Sequence, residues 1–209
     1  MKNESVSVIA GTLRLVAIAT LAAGIVAGAW HVTRQPIADN LHAQRMAEFA
    51  AVLGDTQFDT LDYNTPRIIE SPHGLPGTAP AVIYTAYQGG ELAAWVFVVH
   101  ASGYNAPIQL MIGLRPDSEV IAVRVLNHSE TPGLADDIER TKSDWISSFD
   151  GQRVANASDP RWALRQDGGE FDSFTGASIT PRAVVQAVRD TAAWAQQNAV
   201  ERLGLVHDE

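Results

Sequence analysis

An uncharged apolar run near the N-terminus most constrains how this chain can fold. Residues 15–33 read LVAIATLAAGIVAGAWHVT and contain no Asp, Glu, Lys or Arg. The run approaches the roughly 20 residues that cross the hydrocarbon core of a bilayer as a helix. Trp30 is the kind of aromatic residue that lies at a membrane–water interface. We therefore predict one N-terminal transmembrane helix, in contact with membrane lipid.

The charges that flank the run predict its orientation. Lys2 and Arg14 precede it and favour a cytoplasmic N-terminus, while Arg34 at the other end weakens the bias. A cleaved signal peptide is the alternative, because residues 27–29 (Ala-Gly-Ala) have the small-x-small form of a cleavage site. The length of the apolar run favours the anchor. Both interpretations place the residues after about 34 outside the cytoplasm.

Composition excludes several classes of site. The net charge of −9 argues against binding to nucleic acid, whose phosphates attract Lys and Arg. The chain has no cysteine, which excludes disulfides, thiolate zinc sites and thiolate-bound iron–sulfur clusters. The six histidines are scattered without the spacing of metal ligands, so we predict no metal site.

The order of predicted elements indicates an α+β fold with an antiparallel sheet and flanking helices. We divide the chain into a cytoplasmic N-terminus and transmembrane helix at 1–34, a helix and linker region at 35–80, and one globular domain at 81–209. Turn-forming residues separate the predicted strands into two hairpins. The predicted elements are helices at 35–53, 136–149 and 182–203, and strands at 81–87, 92–100, 108–114, 120–127 and 162–165.

A small loop rich in hydroxyl groups precedes the last predicted helix. Thr180 is a residue type that caps helices, and Pro181 suits the first helical position. Residues 175–178, Thr-Gly-Ala-Ser, come just before this start. Free backbone N–H groups and the helix dipole favour a phosphate there. An ordinary capped loop is the alternative.

A second turn follows the strand predicted at 120–127. Residues 130–134 read Glu-Thr-Pro-Gly-Leu, and Pro-Gly is the central pair of a type II turn because glycine tolerates positive φ. Such a turn can present backbone N–H groups to the edge of a flat polar ring. A tight connection without a ligand is the alternative.

The loop before the last helix also resembles a known motif. Residues 172–178, DSFTGAS, match the pattern Asp-x-x-(Ser/Thr)-Gly-Ala-(Thr/Ser). This resembles the flavinylation motif of the FMN-bearing subunits of the Rnf and Na+-pumping NADH:quinone oxidoreductase complexes. The resemblance implies that a flavin transferase moves FMN from FAD onto Ser178 as a phosphoester. Asp172 would be the leading acid and Thr175 the second hydroxyl, while Ser178 stands where the family usually has Thr. Further cofactor-binding residues implied here are Gly176, Ala177 and Thr180.

Other segments resemble the same family. The turn at 130–134 corresponds to one that lies beside the isoalloxazine ring, and Ala135 stands where the family usually has Gly. Tyr104, in a Gly-Tyr-x-x-x-Ile segment, would pack either on the flavin or on the core. The likeness covers about 93–203 and is closest to the G subunit of Rnf, also called Rsx. The ring-contacting residues implied by the turn are Glu130, Thr131, Pro132, Gly133 and Leu134.

The resemblance implies a single-pass subunit of the bacterial inner membrane with its C-terminal domain in the periplasm. Such a subunit transfers electrons beside other subunits of a complex that links NADH and ferredoxin or flavodoxin chemistry to ion movement, or reduces a redox sensor. No Gly-rich dinucleotide loop follows a predicted strand, so we predict no NADH site. The alternatives are the C subunit of a Na+-pumping quinone reductase, a periplasmic scaffold without flavin, and a free-standing membrane flavoprotein reductase.

Overall fold

The computed structural model describes two stretches of the chain, residues 2–70 and 74–198. Within them, side chains are described except at 2–13, 35 and 37–42. The chain divides into two compact units, Met1–Ala47 and Glu48–Glu209.

One long helix, α1 (Lys2–Leu53), forms the N-terminal part of the chain and continues through Pro36. Its stretch Arg14–Arg34 has a mean hydropathy of 1.9, is long enough to cross a membrane and is not buried by protein. The hydroxyl groups of Thr20 and Thr33 each donate to a carbonyl one turn earlier, at 2.8 Å. These two hydroxyl groups are therefore satisfied inside the helix, as a lipid environment requires. The apolar helix predicted at 15–33 is confirmed.

A six-stranded antiparallel sheet forms the centre of the second unit. The strands are β1 (Thr60–Leu61), β2 (Arg67–Ile69), β3 (Ala81–Gln88), β4 (Glu91–Ser102), β5 (Pro107–Leu114) and β6 (Val120–Asn127). Their order is β1-β3-β4-β5-β6, and β2 also pairs with β3. Both predicted hairpins and the α+β class are confirmed. The linker region contains the short strands β1 and β2, because its backbone pairs along the free edge of β3.

Buried side chains cover both faces of the sheet, since successive residues of a strand point to opposite sides. On one face Phe97 of β4 meets Trp194 of the C-terminal helix α2 (Ile179–Asn198), with ring centroids 6.1 Å apart. On the other face the end of α1 packs on the sheet, and the rings of Phe49 and Tyr84 lie 4.8 Å apart. The predicted helix residues after 198 lie outside the described part of the chain.

The helix predicted at 136–149 is wrong. Two short 3-10 helices, Asp136–Ile138 and Trp145–Phe149, take its place. The Ser143 hydroxyl accepts the Trp145 N–H at 3.1 Å, so a local side-chain bond replaces a helical one.

The strand predicted at 162–165 is also wrong. Leu164 makes only a single bridge with Phe171, and the chain then turns through a 3-10 helix, Arg165–Asp167. Gly168, with a φ of 91°, ends that helix in the left-handed region that glycine tolerates. The turn prevents a strand from extending.

Gly113 of β5 leads to a prediction about how the end of α1 packs on the sheet. A Cβ atom at this position would lie 2.1 Å from the Val52 carbonyl oxygen. We expect Gly113→Ala to lower the free energy of unfolding by about 1–3 kcal/mol, the usual cost of overpacking. Urea denaturation of the full chain in detergent would measure this. Gly24→Ala is the control, because its Cβ would meet nothing within 4 Å. Equal stability of the two variants would contradict the prediction.

Candidate functional site

Hydrogen bonds and ring contacts within the protein hold the loop before α2 in place. The Ala177 N–H donates to the Phe174 carbonyl at 3.1 Å, and Gly176 has a φ of 78°, as the third residue of a type II turn requires. The Trp145 indole N–H donates to the Asp172 carbonyl at 2.8 Å. The ring of Trp145 also contacts that of Phe174, with centroids 5.0 Å apart. The sequence motif is therefore held against the aromatic core.

The start of α2 differs from the prediction. The Arg182 N–H donates to the Ser178 carbonyl at 3.3 Å, so Ser178 occupies the N-cap position. The prediction that Thr180 caps the helix is wrong. Thr180 lies in the first turn, is buried, and donates its hydroxyl hydrogen to the Glu130 carboxylate. Pro181 is accordingly the third helical residue rather than the first, and its missing N–H is still one that the helix leaves unpaired.

The Glu130 carboxylate joins three segments of the site. It accepts the backbone N–H groups of Tyr104 at 3.2 Å and Asn105 at 3.1 Å, and the Thr180 hydroxyl. Burial to 3% exposure raises the pKa of Glu130, but the Thr180 and backbone hydrogen bonds outweigh it and hold the pKa below its ordinary value. A Cβ at Gly103 would lie 2.7 Å from the Glu130 Oε1 atom and closer still to the Ala106 carbonyl oxygen, so both the loop and the carboxylate favour glycine there.

The turn at 131–134 has the predicted type II form. The Leu134 N–H donates to the Thr131 carbonyl at 3.2 Å, and Gly133 has a φ of 74°. The Gly133 N–H donates to Asp136 Oδ1 at 2.7 Å, while Lys142 Nζ lies 2.6 Å from Asp136 Oδ2. The Lys142 hydrogen bond and charge, with the Gly133 N–H, hold the pKa of Asp136 below its ordinary value. A partly buried ion pair thus fixes the turn from behind.

His128 supports the turn from its other end. The Glu130 N–H donates to His128 Nδ1 at 3.1 Å, which requires that nitrogen to be unprotonated. His128 Nε2 then donates to Glu139 Oε1, 3.0 Å away. Lys142, followed by His128, holds the pKa of Glu139 below its ordinary value. His128 therefore bridges the Glu130 backbone and the Glu139 carboxylate.

A cavity of about 270 Å³ lies where these segments meet. Exposed apolar side chains form its rim, with Tyr104 68%, Ile179 48% and Leu134 44% exposed. The sequence patterns did not identify Ile179 as a residue of the site. The sequence signal for it is that a large apolar residue directly follows the proposed acceptor, Ser178. The cavity-lining residues are Tyr104, Thr131, Leu134, Ala135, Gly176, Ala177, Ser178, Ile179 and Thr180.

The remaining predicted site residues lie outside the cavity lining. Glu130 is buried, and Pro132 and Gly133 are exposed in the turn. Asp172 and Thr175 are exposed on the loop, and the Asp172 carboxylate lies 3.1 Å from Arg165 Nη1. Ser178, by contrast, lines the cavity, and its hydroxyl makes no hydrogen bond within residues 74–198. Ser178 therefore combines access to the cavity with an uncommitted oxygen.

The ion pair behind the turn generates a pH prediction. A carboxyl group whose pKa is lowered by folding stabilises the fold above its unfolded pKa, and loses that contribution as pH falls through the folded value. We expect Asp136→Asn to lower the free energy of unfolding at pH 7, with a difference from wild type that shrinks below the ordinary value of 3.8. Urea denaturation at pH 7 and pH 3 would measure it. Asp137→Asn, at an exposed neighbour, should have little effect. A deficit of equal size at both pH values would refute the explanation.

Comparison with known proteins gives consistent matches. Residues 103–193 match the FMN-binding domain family. The chain is 37% identical over 185 residues to the G subunit of the ion-translocating oxidoreductase complex of Pseudoalteromonas atlantica, covering 86% of this chain and 84% of that one. The G subunit of the same complex from Escherichia coli is 38% identical over 174 residues, covering 83% and 84%. The one from Shewanella loihica is 41% identical over 165 residues, covering 78% and 70%.

Among solved structures, Shewanella oneidensis NqrC aligns over 56% of this chain and 58% of its own, with 22% identity and a TM-score of 0.44. The assignment rests instead on the sequence relatives, whose similarity extends over most of both chains. The chain belongs to the family of G subunits of ion-translocating oxidoreductase complexes.

Proposed function

We propose that this chain is the electron-transfer subunit of an Rnf-type ion-translocating oxidoreductase complex, with FMN attached to Ser178 through a phosphoester. The observation that carries the proposal is the position of the Ser178 hydroxyl. Ser178 lines a cavity at the start of a long helix, and its oxygen is uncommitted within residues 74–198. Family membership supports both FMN and a place in a complex.

The start of α2 suits a phosphate diester. The N–H groups of Ile179 and Thr180 have no partner within the helix, because the first intrahelical bond is made by Arg182. These donors and the helix dipole favour a negative charge beside Ser178. The small residues Gly176 and Ala177, which precede Ser178, leave room for the phosphate. The chain can therefore stabilise the charge of a phosphoester without a basic side chain.

The rim of the cavity suits a flat aromatic ring. Tyr104, Leu134 and Ile179 offer apolar surface, while Thr131 contributes a hydroxyl group. The volume of about 270 Å³ is near the lower end for small-molecule sites, roughly 300–1,000 Å³, so we expect part of the ring to remain exposed. FMN, when bound, supplies the electron-transfer chemistry. The chain binds and orients it.

Attachment requires a second protein. We propose that a flavin transferase uses FAD, and that the Ser178 oxygen forms a bond to the FMN phosphorus as the bond to AMP breaks. AMP leaves, and the hydroxyl proton is lost. Asp172 is available for recognition by the transferase because its side chain is 63% exposed, whereas the loop backbone is fixed by Trp145. The exposed acid and the fixed acceptor thus present a folded substrate.

The proposed location follows from the anchor and the family. Arg14–Arg34 would span the bacterial inner membrane, with the FMN-binding domain in the periplasm beside the other subunits. We propose segments at 1–34, 35–80 and 81–209 for the N-terminus and anchor, the connecting region and the domain. We assign no NADH site to this chain. It would accept and pass electrons within the complex.

The acceptor assignment predicts the behaviour of matched hydroxyl variants. Ser178→Ala should lose covalent FMN, because no oxygen remains to form the ester, while Ser178→Thr should keep it. Ser173→Ala is the control, since it removes a hydroxyl from an unspecified position of the same motif. Intact mass and flavin fluorescence of the denatured chain would report attachment. Covalent FMN on Ser178→Ala would overturn the assignment, and wild type without FMN would favour a scaffold.

The anchor assignment predicts the topology. Protease added to spheroplasts should remove the domain and leave a short membrane stub that contains Arg14–Arg34. The same protease added to intact cells is the control and should leave the chain whole. A domain protected in spheroplasts would contradict the orientation. A soluble chain that begins near Trp30 would establish signal cleavage instead.

A further inference from the structure

We propose that Glu130 is a positioning residue. It fixes the surface that binds the flavin ring relative to the residue that carries the flavin phosphate. This rests on the proposed function, because it concerns FMN held at Ser178. Glu130 acts through the backbone of 104–105 and through Thr180. It does not act by touching the flavin.

The residue that carries the phosphate and the residues that would bind the ring lie on different segments of the chain. Ser178 stands at the start of α2, whereas Tyr104 follows β4, and Thr131 and Leu134 follow β6. A ring attached only through its phosphate can rotate about several single bonds. Its position therefore depends on how firmly these segments are fixed to one another.

Glu130 supplies the link to α2, while Asn105 Nδ2 also joins the other two segments by donating to the Ser129 carbonyl at 3.0 Å and the Thr131 hydroxyl at 3.4 Å. In the described chain, the bond from the Thr180 hydroxyl to Glu130 is the only hydrogen bond found between residues 128–136 and residues 172–182. The same carboxylate accepts the Tyr104 and Asn105 N–H groups. Hydrogen bonds to an ionised, buried acceptor are among the stronger ones in proteins. One side chain thus connects all three walls of the cavity.

The carboxylate itself has no free face for a ligand. Glu130 is 3% exposed and is absent from the cavity lining. Its Oε1 atom accepts the Asn105 N–H, and its Oε2 atom accepts the Tyr104 N–H and the Thr180 hydroxyl. A role through neighbouring groups follows from these bonds.

Two substitutions break different bonds of Glu130, one to the backbone of 104–105 and the other to Thr180. Glu130→Gln preserves the volume but turns an NH2 group toward backbone donors, so at least one bond is lost. Thr180→Val preserves the shape and removes the hydroxyl donor. Thr180→Ser keeps the donor and should rescue the link. Asp159→Asn is the matched control, because Asp159 is another buried carboxylate, held by Arg161 at 2.8 Å and absent from the cavity lining.

The first measurement needs no flavin. In the full chain carrying Ser178→Ala, hydrogen exchange followed by mass spectrometry would report the amides of residues 103–106 and those of the first hydrogen-bonded turn of α2, residues 182–185. We expect Glu130→Gln to accelerate exchange at 103–106 and Thr180→Val to accelerate it at 182–185, each by roughly fivefold to tenfold, as expected for the loss of one hydrogen bond. Thr180→Ser and Asp159→Asn should leave both segments near the wild-type rate.

The second measurement uses the loaded chain in detergent. We expect Glu130→Gln and Thr180→Val to retain covalent FMN by intact mass, while the fluorescence anisotropy of the flavin gains a fast decay that is absent from Asp159→Asn. Loaded chains with unchanged anisotropy and unchanged exchange would overturn the positioning role and leave the proposed function intact. Wild-type chain without covalent FMN would overturn both. If Glu130→Gln does not fold, the comparison of Thr180→Val with Thr180→Ser decides alone.

Discussion

The site depends on satisfying one buried carboxylate. Glu130 is almost fully removed from solvent, and an ionised group in such a place must be surrounded by hydrogen-bond donors. The donors come from the backbone after β4 and from a hydroxyl in the first turn of α2. The requirement therefore brings together segments that are distant in sequence. Gly103 belongs to the same constraint, because any side chain there would meet the carboxylate.

The sheet brings those segments within reach. β4 and β6 both pair with β5 in antiparallel fashion, so the C-terminal ends of β4 and β6 lie at the same end of the sheet. Ser102 pairs with Pro107, and Asn127 pairs with Gln109, only a few residues along β5. The turns that follow these strands must then be neighbours. The sheet supplies this approximate placement, and the bonds to Glu130 refine it.

Sequence patterns predicted the parts of the structure whose causes are local. The apolar helix and the hairpins follow from hydropathy and strand periodicity. The Pro-Gly turn follows from the tolerance of glycine for positive φ, which Gly133 adopts. The role of Thr180 could not be predicted in this way. Its residue type suits a helix cap, but its hydroxyl is taken by a carboxylate 50 residues away. The helix at 136–149 failed for a similar reason, since side-chain bonds and the Lys142–Asp136 ion pair replaced helical contacts.

The order of residues at the start of α2 removes one of the two donors that could bond to the Ser178 oxygen. A serine at the N-cap ordinarily accepts an N–H from the second or third helical residue. The third residue here is Pro181, which has no N–H to donate. The second residue, Thr180, keeps its N–H, but within the described residues no bond joins that N–H to the Ser178 hydroxyl, and the Thr180 hydroxyl donates to Glu130. The helix therefore keeps its first backbone donors for an anion while its cap residue keeps a free oxygen, and a phosphoester on Ser178 would use both.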